Sequence, residues 1–288
     1  MADIARIIET HGKSFIVELD EGRRYIATAR KKKTDYAVGD RVEVGLINEE
    51  QAVIERVLPR SSLLYRSDEW REKLIAANVT QIVVVLAAVP SFYEELLSRC
   101  LVAAEDADIR ALILLNKADL PETAAAREML APYHRLGYPL LELSAKEDVA
   151  PLWPCLADQL SVFVGQSGMG KSTLVNALLP EAKVRTNEIS LALDSGKHTT
   201  THATLYKLPN GGELIDSPGL QEFGMRHLPA DRLAPLFPEF RPYIGQCRFH
   251  NCRHDKEPNC ALIAALARGE ILPQRLNLLR KLRQECGA

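Results

Sequence analysis

The sequence predicts an α/β nucleotide-binding domain set between a small all-β barrel and a mainly helical, metal-binding tail. Three observations carry that reading. Up to about Pro59, short β-rich runs such as SFIVEL and RVEVGL alternate with turn signals at Asp20-Glu21-Gly22 and Val38-Gly39-Asp40, the pattern of a small barrel. From about Ser61, continuous apolar runs at 81–89 (QIVVVLAAV), 110–116 (RALILLN) and 160–165 (LSVFVG) are separated by helix-length segments. Strands buried on both faces and alternating with helices build a parallel sheet, to which the hairpin-like ATLYKL-PNGG-ELID (203–216) adds an antiparallel strand. The third observation is a knot of cysteine and histidine between Cys247 and Cys260, followed by a helical stretch RGEILPQRLNLLRKLRQE.

At 288 residues the chain exceeds one ordinary domain, and 47% hydrophobic with 26% charged residues excludes a mainly disordered or fibrous protein. Thirty-six basic against 38 acidic residues leave a net charge of −2, so affinity for a polyanion must come from local clusters. Two stand out, Arg30-Lys31-Lys32-Lys33 in a loop-like position and a C-terminal basic face with Arg275, Arg280, Lys281 and Arg283. The most apolar run is about half the length of a membrane span, and the first residues lack a signal-peptide core, so a soluble cytoplasmic protein without membrane contact is expected.

Gly165-Gln166-Ser167-Gly168-Met169-Gly170-Lys171-Ser172 satisfies G-x-x-x-x-G-K-[ST] and lies between the strand LSVFV and the helix STLVNALL. In that context the glycines let backbone N–H groups close around phosphates at a helix N-terminus, with Thr173 in its first turn. Lys171 is expected to reach the β and γ phosphates and Ser172 to ligate Mg²⁺.

Asn116-Lys117-Ala118-Asp119 ends the strand RALILL, where open α/β sheets bind ligands. A buried Asp119 carboxylate can accept from the ring N–H and exocyclic amine of guanine, a donor pair adenine lacks. Ser144-Ala145-Lys146 can supply a backbone N–H to the guanine carbonyl. Asp216-Ser217-Pro218-Gly219 has the D-x-x-G form that holds Mg²⁺ through water and turns a glycine N–H to the γ-phosphate. Thr199, Thr200 and Thr201 precede the next strand, as a switch threonine should, with Thr200 assigned to Mg²⁺. Together these motifs read as a GTPase, but the base motifs at 116 and 144 precede the phosphate loop at 165. The domain is therefore a circularly permuted P-loop GTPase, and its second switch runs directly into the C-terminal segment.

Cys247-x4-Cys252-x-His254-x5-Cys260 offers three thiolates and an imidazole, the donors of a closed tetrahedral Zn²⁺ site. His250 is a rival to His254, and reduced cysteines packed without metal are the bland alternative. Cys100, Cys155 and Cys286 read as core or incidental residues.

The permuted order NKAD, SAK, GQSGMGKS, GKHTTT, DSPG, the leader with VGDRVEV and the C-x4-C-x-H-x5-C tail closely resemble the bacterial ribosome biogenesis GTPases of the RsgA (YjeQ) family over essentially the whole chain. The resemblance implies an RNA-binding OB-fold at 1–60, a permuted GTPase domain at 61–228 and a zinc-binding domain at 229–288. It implies a GTP/GDP-bound monomer acting on the 30S subunit and its 16S rRNA late in maturation. Leu220 stands where Ras-type enzymes place a water-orienting glutamine, so slow intrinsic turnover and an external activator are expected, which in the family is the small subunit. His198, in the family's G-[RK]-H-T-T-T motif, is expected to position water and, with Lys171, to be catalytic. The rival reading is an RNA-binding assembly factor with GTP as a structural ligand only.

Overall fold

The computed structural model describes residues 3–30, 36–67, 72–180, 203–216 and 223–286. Lys31 to Lys33, His198, Thr199 to Thr201, Ser217, Pro218, Gly219 and Leu220 lie outside them. In the leader, β1 (Asp3–His11), β2 (Ser14–Leu19), β3 (Arg24–Ala29), β4 (Arg41–Leu46) and β5 (Gln51–Val57) pair in the order β1-β2-β3-β5-β4, and β4 closes back on β1. That closed order, with β3 and β5 parallel, is the five-stranded barrel of an OB-fold. Gly39 (φ 93°) turns the chain so tightly before β4 that a Cβ there would lie 2.2 Å from the Ala77 carbonyl oxygen.

The α/β sheet runs β10 (Leu140–Glu142), β9 (Arg110–Asn116), β8 (Gln81–Ala87), β11 (Leu160–Val164), β13 (Glu213–Asp216) and β12 (Thr204–Lys207). It is parallel through β13, and β12 joins as the antiparallel hairpin strand the sequence predicts. Every residue of β8 and β11 is buried, which explains their uninterrupted apolar runs. Helices α1 (Glu94–Asp106), α2 (Thr123–Arg135), the single turn α3 (Trp153–Leu156) and α4 (Lys171–Leu178) connect the strands. A hairpin of β6 (Leu63–Ser67) and β7 (Glu72–Ala77), unforeseen in the sequence, lies between barrel and sheet.

Two further features depart from expectation. The helical tail is broken: α5 (Ala261–Ala267) stops at Gly269 (φ 73°), and α6 (Pro273–Cys286) begins on a proline, the usual stop and start residues. Arg275 belongs to no basic face. It is fully buried, ion-paired to Glu239 at 2.6 Å and stacked over Phe237. Buried side chains gather in three clusters, one inside the barrel, one around the sheet, and one formed by residues 225–282 together with Val102 of α1.

Candidate functional site

The strand β11 delivers the phosphate loop and α4 leaves it, with Gly170 as the helix N-cap in the left-handed region at φ 95°. A Cβ on Gly170 would lie 2.2 Å from Asn116 Nδ2, and one on Gly165 would lie 2.2 Å from the Val85 carbonyl oxygen. Both glycines are therefore required by packing as well as by the turn. The close approach has a purpose. Asn116 Nδ2 donates to the Met169 carbonyl at 2.9 Å, and its Oδ1 accepts from the Ala145 N–H at 2.9 Å. One buried amide thus ties the ends of β9, β10 and β11 together, joining the NKAD turn, the SAK loop and the phosphate loop.

Lys117 adopts φ 61°, and its Nζ donates to the Val89 carbonyl at 2.7 Å. Its own carbonyl accepts from the buried Thr123 hydroxyl at 3.1 Å. Asp119 is exposed, not buried as the sequence suggested, because the turn carries it past the strand end. A hydrogen bond from Ser144, with help from Lys146 and Lys117, holds its carboxyl below the usual aspartate range, so it is an ionised acceptor at neutral pH. Ser144 is buried, Ala145 half-buried and Lys146 exposed.

Lys171 curls over its own loop, donating to the Gly165 carbonyl and, at 2.8 Å, to the Gln166 carbonyl. Ser167, Gly168, Ser172 and Thr173 are exposed around it. Burial lowers the Lys171 pKa and raises that of Asp216 at the end of β13, and the opposite charge of each partner resists the shift. The structure therefore brings together Asn116, Lys117, Asp119, Ser144 to Lys146, the loop from Gly165 to Thr173, and Asp216. Sequence reading missed the segment that follows β8: the Tyr93 N–H donates to Gln166 Oε1 at 2.6 Å, so α1 begins on the phosphate loop. The turn after an all-apolar strand end was the available signal.

The second cluster lies between residues 247 and 260. Ligand atoms of Cys247, Cys252, His254 and Cys260 lie within 4.8 Å of one another, whereas His250 is exposed and outside the group. A tetrahedral ion with bonds of about 2.3 Å to sulfur and about 2.0 Å to nitrogen has S···S edges near ~3.8 Å and S···N edges near ~3.5 Å. The observed separations are 3.9 Å for Cys247 to Cys260, 3.6 Å for Cys247 to His254 Nδ1, and 3.3 Å for His254 Nδ1 to Cys260. The four residues fit such an ion. Burial lowers the His254 pKa, favouring the neutral imidazole that a metal needs.

Comparison with known proteins agrees with this geometry. The family model described as RsgA GTPase matches residues 57–226. A small ribosomal subunit biogenesis GTPase RsgA of Neisseria meningitidis serogroup B is 55% identical over 285 residues, covering 99% of this chain and 93% of its own. The protein of the same name from Nitrosospira multiformis is 53% identical over 277 residues, 96% of this chain and 88% of its own. Among solved structures, YjeQ from Thermotoga maritima superposes with a TM-score of 0.76 at 29% identity, covering 100% of this chain and 99% of that one. YloQ, a circularly permuted GTPase, gives 0.73 at 27% identity, covering 100% and 96%.

Proposed function

The chain belongs to the RsgA GTPase family and has its circularly permuted fold, and from that premise we propose that it hydrolyses GTP to govern a late step in maturation of the small ribosomal subunit. The observation that carries this is the single Asn116 amide joined to both the phosphate loop and the SAK loop, because it makes base recognition and phosphate binding one preorganised site. Asp119 would read the guanine donors, Lys171 would meet the β and γ phosphates, and Ser172, Thr200 and Asp216 would hold Mg²⁺ directly or through water. Gly219 and Thr199 to Thr201 would sense the γ-phosphate, and His198 would position the attacking water. Cys247, Cys252, His254 and Cys260 would hold one structural Zn²⁺, since three thiolates and an imidazole favour zinc over Mg²⁺ or Ca²⁺. In this reading residues 1–60 contact 16S rRNA, 61–228 bind nucleotide, 229–288 form the zinc domain, and the protein works as a cytoplasmic monomer. No described helix is long and apolar enough to cross a membrane.

With Leu220 in place of a water-orienting glutamine, intrinsic turnover should be slow and 30S subunits should accelerate it. The test is GTP hydrolysis measured across a titration of purified small subunits, with ATP in parallel. Acceleration specific to GTP supports the reading, while GTP binding without accelerated hydrolysis would leave an assembly factor that uses GTP only as a structural ligand. Asp119→Asn should move base preference toward xanthine nucleotides, whose carbonyl replaces the guanine amine. Unchanged preference in a competition assay would remove Asp119 from the base pocket.

A further inference from the structure

The loop between Cys252 and Cys260 is held by two side chains that are not among the four metal-ligand candidates. Glu257 folds back into it: Oε1 accepts from the Arg253 N–H at 2.7 Å, and Oε2 accepts from the N–H groups of Asp255 and Lys256 at 2.9 and 3.1 Å. From the other side Arg280 of α6 donates Nε to the His254 carbonyl at 2.9 Å and Nη2 to the Asp255 carbonyl at 2.8 Å. Between these two grips the His254 backbone sits at φ 61°, a region uncommon for a residue with a Cβ. Such a backbone persists where its surroundings over-determine it, and here five hydrogen bonds do so.

We propose that Glu257 and Arg280 are positioning residues for the metal site: they fix the left-handed turn that aims His254 Nδ1 at the three sulfurs. The inference rests on the metal reading above and extends it. Neither side chain would touch the ion. Glu257 takes three of the loop's donors and Arg280 two of its acceptors, so the turn around His254 is gripped from both sides only with both. Arg280 also fastens the loop to α6, the helix whose neighbouring Lys281 and Glu285 grip α1 at 2.6 Å to Glu95 and 2.5 Å to Arg99. The metal loop is therefore anchored to the same helix that docks on the nucleotide-binding domain.

Outer-sphere partners of this kind are worth about 10- to 100-fold in metal affinity. The experiment uses the full-length protein loaded with zinc, with metal content measured before and during competition by a chromophoric chelator. Cobalt-substituted protein supplies the ligand-field spectrum of the site. Glu257→Gln, which keeps one acceptor oxygen, and Arg280→Met, which keeps the apolar stem, are each expected to weaken zinc retention by at least 10-fold and to perturb the cobalt bands. Arg280→Lys, with charge but no fork, should recover only part of the loss. Guanine nucleotide binding at the distant phosphate loop verifies that each variant is folded. Wild-type zinc retention and an unchanged cobalt spectrum in both principal variants would overturn the positioning role. Absence of zinc from the wild-type protein would instead overturn the metal reading beneath it.

Discussion

The barrel and the C-terminal segment are both attached to the nucleotide-binding sheet, yet by different means. The barrel is joined through backbone: β2 pairs along one edge of β1, while the other edge meets β4 over Asp3 to Arg6, closing the barrel, and β12 at Glu9↔Thr204, so one sheet of eleven strands runs through both. Ile7 of β1 lies in the barrel core and Ile8 in the core around the sheet. The C-terminal segment docks through side chains, most of them on α1, while Arg275 lies over Tyr133 of α2 and His227 against Tyr65 of β6. Glu94 accepts from Gln274, Glu95 from Lys281, Arg99 grips Glu285, Arg241 grips Glu105, and His227 meets Asp106. Among the described residues, only Val102 carries α1 into the C-terminal apolar cluster. Backbone hydrogen bonds do not themselves depend on side-chain charge, whereas a ring of ion pairs loosens with salt, pH and single substitutions. The junction that can yield is therefore the one on α1, the helix whose N-terminal amide holds Gln166 of the phosphate loop.

The largest break expected in that comparison is at Arg275. Its guanidinium pairs with the buried Glu239 and lies 4.5 Å over Phe237 and 5.9 Å over Tyr133 of α2, and its Nη1 has no hydrogen-bond partner among the described residues. Arg275→Ala leaves Glu239 buried and uncompensated, at a cost of about 3–5 kcal/mol. Urea unfolding should show the C-terminal segment melting first while the barrel and sheet hold together. A uniform downward shift of the whole transition would mean that the two junctions are not energetically distinct.

Why Arg275 escaped the sequence reading is instructive. Its basic neighbours in the sequence suggest a charged face, but it shares a helical face with Leu279 and Leu282 at spacings of four and seven, which places it in the core. The break at Gly269 and Pro273 likewise has a local signal, a glycine stop and a proline start. Local signals gave the phosphate loop, the NKAD and SAK turns, the hairpin of β12 and β13 and the spacing of the Cys/His cluster, because each is a short-range constraint of turn, strand or ligand geometry. What no local pattern could give is pairing across the chain. Nothing in DIARIIETH names residue 204 as a partner of residue 9, and nothing in NKAD says that Asn116 must reach both Met169 and Ala145.

The next effect in size concerns Arg99, whose side chain is only 9% exposed and which bonds Glu95 and Glu285. Arg99→Ala removes charge-assisted bonds worth about 1.5–3 kcal/mol. Hydrogen exchange should quicken across α6 and leave β1 unchanged. Equal loss of protection in β1 would show the junctions to be coupled.

A smaller and reversible effect follows from Glu95. Burial pushes its carboxyl up, but hydrogen bonds from Lys281 and Arg99 outweigh this and hold the pKa below the ordinary 4.5. A lowered folded-state value means that its contribution is complete above the unfolded value and fades as pH falls through the folded one. Glu95→Gln should therefore protect α6 less well than wild type at pH 7, and the gap should close as pH falls through the lowered folded-state pKa, below the ordinary glutamate range, where the protonated glutamate resembles glutamine. Because every other titrating group is the same in both proteins, the difference between them isolates this one carboxylate. A gap that persists in acid would assign the effect to packing.

The smallest effect should be at the barrel. Arg6 donates to both carboxylate oxygens of Glu213 at 2.7 Å, and Lys207 meets Glu18 at 2.5 Å, so this junction too carries ion pairs. These pairs reinforce strands that are already hydrogen-bonded through their backbones, and partly exposed pairs contribute about 0–1 kcal/mol. Arg6→Ala combined with Lys207→Ala should lower stability by no more than about 1–2 kcal/mol, the sum of two such pairs. Amide exchange in β1 and β12 should stay slow, since the Glu9↔Thr204 pairing and the burial of Ile7 and Ile8 are untouched. If β1 instead lost protection as α6 does in Arg99→Ala, side chains would be holding both ends of the molecule. The barrel would then be as free to move as the C-terminal segment, and α1 would no longer mark the weaker of the two junctions.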